Sequence, residues 1–422
     1  MNFVSQLNGV YYAEDLALSQ IVSDIGTPTY LYSANSLQKQ WLCFDQAFHA
    51  VTHHIHYAVK ANSNLALLDK FHRLGSGFDI VSAGELQRVL KVNADPQKII
   101  FSGVGKRTED LNLAIHSHIA CINVESTEEL LRVNECAGNA GYIMPIALRI
   151  NPDIKSNTHP YISTGAASDK FGIPFSEAMT VYKMASTLQH LQLKGIAFHI
   201  GSQISTLAPF KEALHKILVL HRALKNEGIL LSSLNVGGGL GIRYHEEVVP
   251  SIHEYAQALI EILVEQEATD LCLHLEPGRV MVAEAGILLT RIEYLKKAAA
   301  QKYFAIVDAG MNDLLRPALY NAWHPVQCLH QRKTDPNKQR CYDIVGPVCE
   351  SGDFLAKDRW LDLELGDLIA IGTAGAYGFS MSSNYNSRPR PAEVLVDGSG
   401  YQVIRTRERL ADLFAHEQIP KA

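Results

Sequence analysis

A lysine closes the alternating, β-prone run His56-Tyr57-Ala58-Val59-Lys60, just before the polar turn Ala61-Asn62-Ser63-Asn64. Tyr57 and Val59 favour a pleated strand, so Lys60 stands where a buried strand opens onto a loop. In α/β barrels that edge carries the chemistry. A partly desolvated lysine there can lose its proton and form a Schiff base with a carbonyl. A lysine capping a strand is also an ordinary solvated charge, so the reading rests on its company. Four glycines fall within five residues at Gly237-Gly238-Gly239-Leu240-Gly241. Glycine lets backbone N–H groups converge on an anion with no Cβ in the way; a tight turn is the plain alternative. No Lys-Ser/Thr follows, and Ile242 stands where a GxGxxG fingerprint needs its last glycine, so neither nucleotide motif fits. Glu276 follows the apolar run Leu271-Cys272-Leu273-His274-Leu275, and His199 follows Ile196-Ala197-Phe198. A carboxylate at a barrel mouth can hold a proton on a pyridine nitrogen and keep the ring an electron sink. It can equally form a structural salt bridge with Arg279. His199 is either a satisfied core residue or a flat ring stacked on a cofactor. A lysine, a phosphate loop, a carboxylate and a flat ring at one mouth suggest pyridoxal phosphate. Its carbonyl would go to Lys60, its phosphate to the glycine loop and its ring nitrogen to Glu276.

These residues need a scaffold that gathers strand ends. From about Tyr30 to Arg279, short β-rich runs alternate with helix-like ones. Eight strands are expected, at His54–Lys60, Phe78–Ser82, Lys98–Ser102, Ala120–Glu125, Pro145–Asn151, Gly195–Ile200, Ser233–Gly237 and Leu271–Glu276. Between them, Asn64–Leu74 and Pro209–Asn226 carry apolar residues at helical spacing. Ser82 followed by Glu85 reads as a capped helix start. The pattern predicts an α/β fold, a parallel (β/α)8 TIM-like barrel over residues 28–280. A doubly wound sheet would need a glycine-rich dinucleotide turn after its first strand, and none is there. Residues 281–422 change character: Ile287–Lys296, Tyr303–Asp308, Cys341–Val345, Asp367–Ile371 and Glu393–Val396 read as strands divided by turns. They predict a C-terminal, mainly antiparallel β domain, to which residues 1–27 add a strand at Val10–Tyr12.

Composition narrows the function. The length of 422 residues suggests two domains. A net charge of −6 argues against a general nucleic-acid binder. The seven cysteines include no CxxC pair and no zinc spacing, so free thiols in a reducing compartment are expected, and no metal. The first basic residue is Lys39, so no signal peptide is expected, and no apolar run is long enough to span a bilayer. The expected location is the cytoplasm.

Several blocks in order give the chain a wider resemblance. Tyr57-Ala58-Val59-Lys60-Ala61-Asn62, Phe78-Asp79-Ile80-Val81-Ser82 and Ala83-Gly84-Glu85-Leu86 resemble the fold-type III, pyridoxal-phosphate-dependent decarboxylases. Asn151-Pro152-Asp153, Thr158-His159-Pro160-Tyr161-Ile162-Ser163-Thr164-Gly165 and Lys170-Phe171-Gly172-Ile173 resemble its diaminopimelate branch in particular. So do Asp308 to Asp313, Arg316-Pro317-Ala318-Leu319-Tyr320, Gly346 to Asp353, Gly375-Ala376-Tyr377-Gly378 and Arg388-Pro389-Arg390-Pro391. The Gly103-Val104-Gly105-Lys106 segment carries no role in this reading.

The resemblance implies decarboxylation of meso-2,6-diaminopimelate to L-lysine and carbon dioxide. Lys60 would carry the cofactor, Glu276 pair with its ring nitrogen and His199 stack on its ring, with Asp79 in the same binding set. Ser202, the loop Gly237, Gly238, Gly239 and Gly241, and Gly278 and Arg279 would hold its phosphate, helped by Tyr377. Arg279, Arg316 and Tyr320 would clamp the distal carboxylate of the substrate, with Tyr377 nearby, and Glu350 would take the distal ammonium. Cys349 would be a proton donor in a segment that completes a second subunit's site, which implies a homodimer. Taken alone, Arg316 before Pro317 reads as a surface charge, and Cys349 as a small buried hydrophobe. The alternatives are a sister enzyme acting on ornithine, arginine or carboxynorspermidine, a racemase on a related barrel, and a non-catalytic regulatory homologue.

Overall fold

Alternation of side chains along eight short strands decides which residues enter the barrel. In a computed structural model of the chain, residues 3–154, 164–165, 169–298, 302–330 and 332–421 are described. Thr158 to Ser163 of one motif lie outside the described residues. The barrel strands are β1 (His53–Ala58), β2 (Gly77–Ile80), β3 (Ile99–Phe101), β4 (Cys121–Val124), β5 (Met144–Asn151), β6 (Leu191–Ala197), β7 (Ser233–Asn235) and β8 (Cys272–Leu275). Each pairs in parallel with the next, β8 pairs with β1, and β4 with β5, so the ring closes. All eight lie on expected runs.

Most strands stop short of their expected C-terminal ends. β1 ends at Ala58, and Val59–Ala61 form a turn of 3-10 helix that carries Lys60. The Tyr57 hydroxyl closes this turn by donating to the Asn62 carbonyl at 2.9 Å. The Tyr57 ring faces outward and stacks on Phe71 at 4.3 Å. Phe71 belongs to the helix Leu65–Arg73, which Asn64 caps by accepting from the Ala66 N–H. After β2, the Ser82 hydroxyl caps the helix Ala83–Lys91, as its sequence predicts. The Glu85 carboxylate goes to the Val81 N–H at 2.7 Å rather than back to the cap residue. The long helix Ala208–Asn226 buries Phe210, Leu214, Ile217, Leu218 and Leu224. Each such side chain contributes roughly 1.5–3 kcal/mol by leaving water. The outward residues of the strands, such as Phe78, Ile80, Ile122, Val124, Leu273 and Leu275, are fully buried.

The barrel residues Gln38–Arg243 and Glu247–Met281 form one compact unit; Met1–Leu37, Tyr244–Glu246 and Val282–Ala422 form the other. The second unit is built on β9 (Gly286–Lys297), β10 (Tyr303–Val307), β11 (Val326–Cys328), β12 (Arg340–Val345), β13 (Phe354–Leu361), β14 (Leu368–Ile371), β15 (Ala392–Asp397) and β16 (Gly400–Arg405). Antiparallel pairs dominate, among them β9–β10, β9–β14, β12–β13 and β15–β16. β10–β12 is parallel, and so is the pairing of β15 with Thr29–Ser33. Val10–Ala13 pairs with Val4–Leu7 and Leu16–Ala17 in a small separate sheet. Leu18, Ile21, Leu31, Ile287, Leu289, Val394 and Val396 share this unit's core.

Candidate active site

Ala58 lies opposite Asp79 across the parallel β1–β2 pair, and this register brings the next turn's lysine to the neighbouring strand. The Lys60 Nζ donates to Asp79 Oδ2 at 2.8 Å. Asp79 is fully buried, whereas the Lys60 side chain is 38% exposed. The other Asp79 oxygen, Oδ1, is buried with no hydrogen-bond partner. A buried carboxylate thus holds the amine from one side while the amine stays reachable from the cavity it lines.

Glu276 follows β8 and is 9% exposed. Its Oε1 accepts from the Asn235 amide at 2.6 Å and the Asn123 amide at 3.3 Å. The salt bridge to Arg279 does not form; the Arg279 Nη2 donates to the Ser202 hydroxyl at 3.0 Å instead. Burial pushes the Glu276 carboxyl up to about 7, the Asp79 charge adds to the rise, and Lys60 opposes it. Burial also pushes Glu85 up to about 7.

The His199 Nδ1 accepts from the Gly238 N–H at 3.2 Å, which leaves its proton on Nε2. Burial holds this imidazole well below its usual range, and the Arg149 and Lys60 charges reinforce that. His199 is therefore a neutral ring with one nitrogen anchored. The glycine loop is anchored through its backbone. Its N–H groups are partly committed: Gly237 donates to Asn235 Oδ1 and Gly241 to the Ile204 carbonyl. A Cβ on Gly238 would lie 2.2 Å from the Glu276 carbonyl oxygen, and one on Gly239 2.3 Å from that of Gly201. The glycines thus let the loops after β6, β7 and β8 meet backbone to backbone.

Lys60, His199 and Glu276 line one cavity of about 410 Å³ at the C-terminal mouth of the barrel. The glycine loop and Arg279 do not line it; the loop adjoins it at Gly238, which meets His199 and Glu276. Its wall includes residues to which the sequence assigned no role: Ser102, Asn123, Arg149, Phe171 and Asn235. Asn123 and Asn235 point inward by the same two-residue alternation as Asp79, which is the signal that could have found them. Arg149 is buried on Glu125 at 2.8 Å and lies over the Phe171 ring at 4.9 Å. Glu125 also accepts from the Gly103 and Gly172 N–H groups. The unassigned segment Gly103–Lys106 now has a place. Its first three residues line the cavity, and the Lys106 Nζ tethers it to the Gly103 and Asn123 carbonyls and to Glu129, each at 2.7 Å. A second cavity, of about 300 Å³, is lined by residues from the strands' N-terminal ends, including His54, His56, Cys121, Ser233, Cys272 and His274.

Gly278 stays in the barrel unit, where a Cβ on it would lie 3.1 Å from that of Ala58, whereas Arg316, Tyr320, Cys349, Glu350 and Tyr377 belong to the second unit. Arg316 opens the helix Arg316–Tyr320 and is only 5% exposed, so the surface-charge reading fails. Tyr320, four residues on, shares its helix face. Cys349 and Glu350 are exposed, so Cys349 is no buried hydrophobe. Their loop is held by Asp353, whose carboxylate accepts from Val348 at 2.7 Å and Met311 at 2.6 Å. The Cys349 N–H donates to Asn386 Oδ1 at 2.8 Å, and the Tyr385 hydroxyl to Glu350 at 3.1 Å. Tyr377 has a φ of +55°, a left-handed conformation that a bulky side chain adopts only when its surroundings impose it.

Comparison with known proteins bears directly on this geometry. Residues 34–283 match the family described as "Pyridoxal-dependent decarboxylase, pyridoxal binding domain". The chain is 50% identical over 417 residues to the diaminopimelate decarboxylase of Vibrio cholerae, covering 99% of each. The same enzyme of Pseudomonas aeruginosa is 50% identical over 419 residues, again covering 99% of each. Among solved structures, the Helicobacter pylori diaminopimelate decarboxylase complexed with L-lysine superposes with a TM-score of 0.90 at 42% identity, covering 94% of this chain and 98% of that one. The M. jannaschii enzyme in complex with L-lysine gives 0.94 at 36%, covering 99% and 98%.

Proposed function

Since the chain belongs to the pyridoxal-dependent decarboxylases, and within them to the diaminopimelate decarboxylases, we propose that it converts meso-2,6-diaminopimelate to L-lysine and carbon dioxide. The observation that carries this reading is the pairing of Lys60 with buried Asp79 in a cavity that also holds the amide-bound Glu276 carboxyl. Pyridoxal phosphate fits that donor set, with an amine for its aldehyde, an acid at its ring nitrogen and a neutral flat ring beside it. When bound, it supplies the electron sink that accepts the pair left by departing carbon dioxide.

The chain's own residues do the rest. Asp79 orients the Lys60 amine. Glu276, with its raised affinity for a proton, would be the residue that faces the ring nitrogen and holds a proton there. Asn123 and Asn235 hold the Glu276 carboxyl in place. His199 presents its ring face with its Nδ1 fixed by Gly238. Ser202, Gly237, Gly238, Gly239, Gly241, Gly278 and Arg279 take the phosphate, with Tyr377. Arg279, Arg316 and Tyr320 take the distal carboxylate, for which the planar guanidinium suits better than an ammonium. Glu350 would take the distal ammonium, and Cys349 would be the proton donor. Exposure of both Cys349 and Glu350 in the single chain supports a homodimer whose second copy covers them. A boundary near residue 280 divides the cofactor-binding barrel from the β domain. The seven disulfide-free cysteines support a reducing, cytoplasmic setting. Among the described residues no helix is long and apolar enough to cross a membrane.

The test is turnover of purified protein with pyridoxal phosphate and meso-diaminopimelate, assayed for lysine beside Lys60→Ala. Lysine from the wild type and none from the variant is expected. Cofactor-loaded protein that decarboxylates ornithine, arginine or carboxynorspermidine instead would overturn the substrate assignment.

A further inference from the structure

We infer that His324 is a positioning residue for Arg316, holding its guanidinium in the orientation that reads the distal carboxylate of the substrate; this rests on the role proposed for Arg316 above. His324 is fully buried. Its Nδ1 lies 2.9 Å from the Gly372 carbonyl oxygen, and its Nε2 lies 3.1 Å from the Arg316 Nη1. A carbonyl only accepts and a guanidinium only donates, so both neighbours dictate one protonation state. The proton sits on Nδ1, and Nε2 offers a lone pair. The imidazole is neutral, so this contact orders the guanidinium without cancelling its charge.

A second contact sets the remaining angle. The Arg316 guanidinium carbon lies 4.5 Å from the centre of the Tyr244 ring, and that ring meets the His324 ring edge-on at 5.3 Å. One nitrogen is pinned by His324 and the flat face by Tyr244, so the plane of the fork is specified. His324 is itself secured from behind. The Arg359 Nη2 donates to its carbonyl at 3.2 Å, and the Arg359 guanidinium lies 4.2 Å from the neighbouring Trp323 ring. The Gly372 N–H returns to the Pro325 carbonyl at 2.8 Å. Two-point recognition of a carboxylate depends on the direction of the fork as well as on its charge. A rigid mount of this kind serves a residue that must meet a planar anion in one pose.

The experiment separates positioning from mere structure by comparing His324→Gln with His324→Asn. A glutamine amide reaches the place of Nε2 and keeps an acceptor for Arg316. An asparagine amide matches Nδ1, keeping the Gly372 anchor but losing Arg316. His324→Asn should raise KM for meso-diaminopimelate roughly 10-fold or more, with kcat and cofactor absorbance within about threefold of wild type, and His324→Gln should restore most of the loss. In an Arg316→Ala background, His324→Asn should add less than about a twofold change, because the pair acts as one unit. Independent, multiplying effects of the two substitutions would overturn the proposal. So would better rescue by asparagine than by glutamine. A normal KM in Arg316→Ala alone would instead remove the substrate role of Arg316, and the positioning role with it.

Discussion

The barrel has a cavity at each end, and the two differ in charge more than in size. The mouth holds about 410 Å³ and the far end about 300 Å³, and both are lined by Asn123 and Asn235. At the mouth, Lys60 faces Asp79, and Arg149 and Glu276 share the wall. The far cavity is lined by Lys98, Lys194 and three histidines, with no carboxylate among the described residues. Its histidines are turned inward on one another. The His56 Nδ1 donates to the Lys98 carbonyl at 3.0 Å, and its Nε2 accepts from the His274 Nδ1 at 2.8 Å. Burial lowers His56 to about 3 and His274 well below its usual range, so both are neutral. Volume and histidine count would favour either end as a site. What singles out the mouth is opposite charges held in contact where water is scarce.

Glu276→Gln tests the active end of that contrast most severely. It keeps a hydrogen-bonding group but removes the acid, so kcat should fall roughly 100- to 1000-fold with the cofactor absorbance retained. A kcat within a few-fold of wild type would show that the buried acid is not needed. At the far end, His56→Leu should leave kcat/KM within about twofold, while breaking its two hydrogen bonds costs about 1–3 kcal/mol of stability. Thermal melts and kinetics on one preparation decide it, and a large loss of turnover at unchanged Tm would erase the distinction between the ends.

The smallest effect is a pH dependence. Glu276 holds its proton more tightly folded, at about 7, than its ordinary value of 4.5 allows in the unfolded chain. Its contribution to stability is therefore full below about 4.5, is lost as pH rises through about 7, and is constant above. In cofactor-free protein, Glu276→Gln should make Tm fall less steeply between these limits. The slope should persist in part, because Glu85 and Asp313 are also raised to about 7. Superimposable Tm profiles would mean that Glu276 titrates near its ordinary value.

Much of this contrast is legible in the amino-acid sequence. The barrel strands announce themselves because apolar alternation is local, and Lys60, Glu276 and the glycine loop stand at strand ends where barrels keep their chemistry. The polar layer beneath them is harder to read. Asn123, Asn235 and Arg149 are single polar residues in otherwise apolar runs, and their partners are distant in sequence; Asn123 and Glu276, for instance, are 153 residues apart. The exact end of β1 was missed because the Tyr57 hydroxyl, not backbone propensity, closes the turn at Asn62. β11, β13, β16 and the strand Thr29–Ser33 were also missed. Val326–Cys328 is very short, and Phe354–Leu361 breaks its alternation with Lys357, Asp358 and Arg359. Asp358 there has a φ of +55° beside irregular pairing with β12. His324 gave no signal at all, since its value lies wholly in what it touches.

The placement of Ala58 opposite Asp79 also governs which length changes the gene can tolerate. Residues added or removed at the tip of the connection between β1 and β2 leave that alignment untouched. A single codon inserted within either strand is another matter. It would turn every later side chain of that strand to the opposite face, sending Asp79 towards the helices or Lys60 out of the mouth. Insertions and deletions should therefore accumulate at Arg73–Ser76 and be purged from the six residues of β1 and the four of β2.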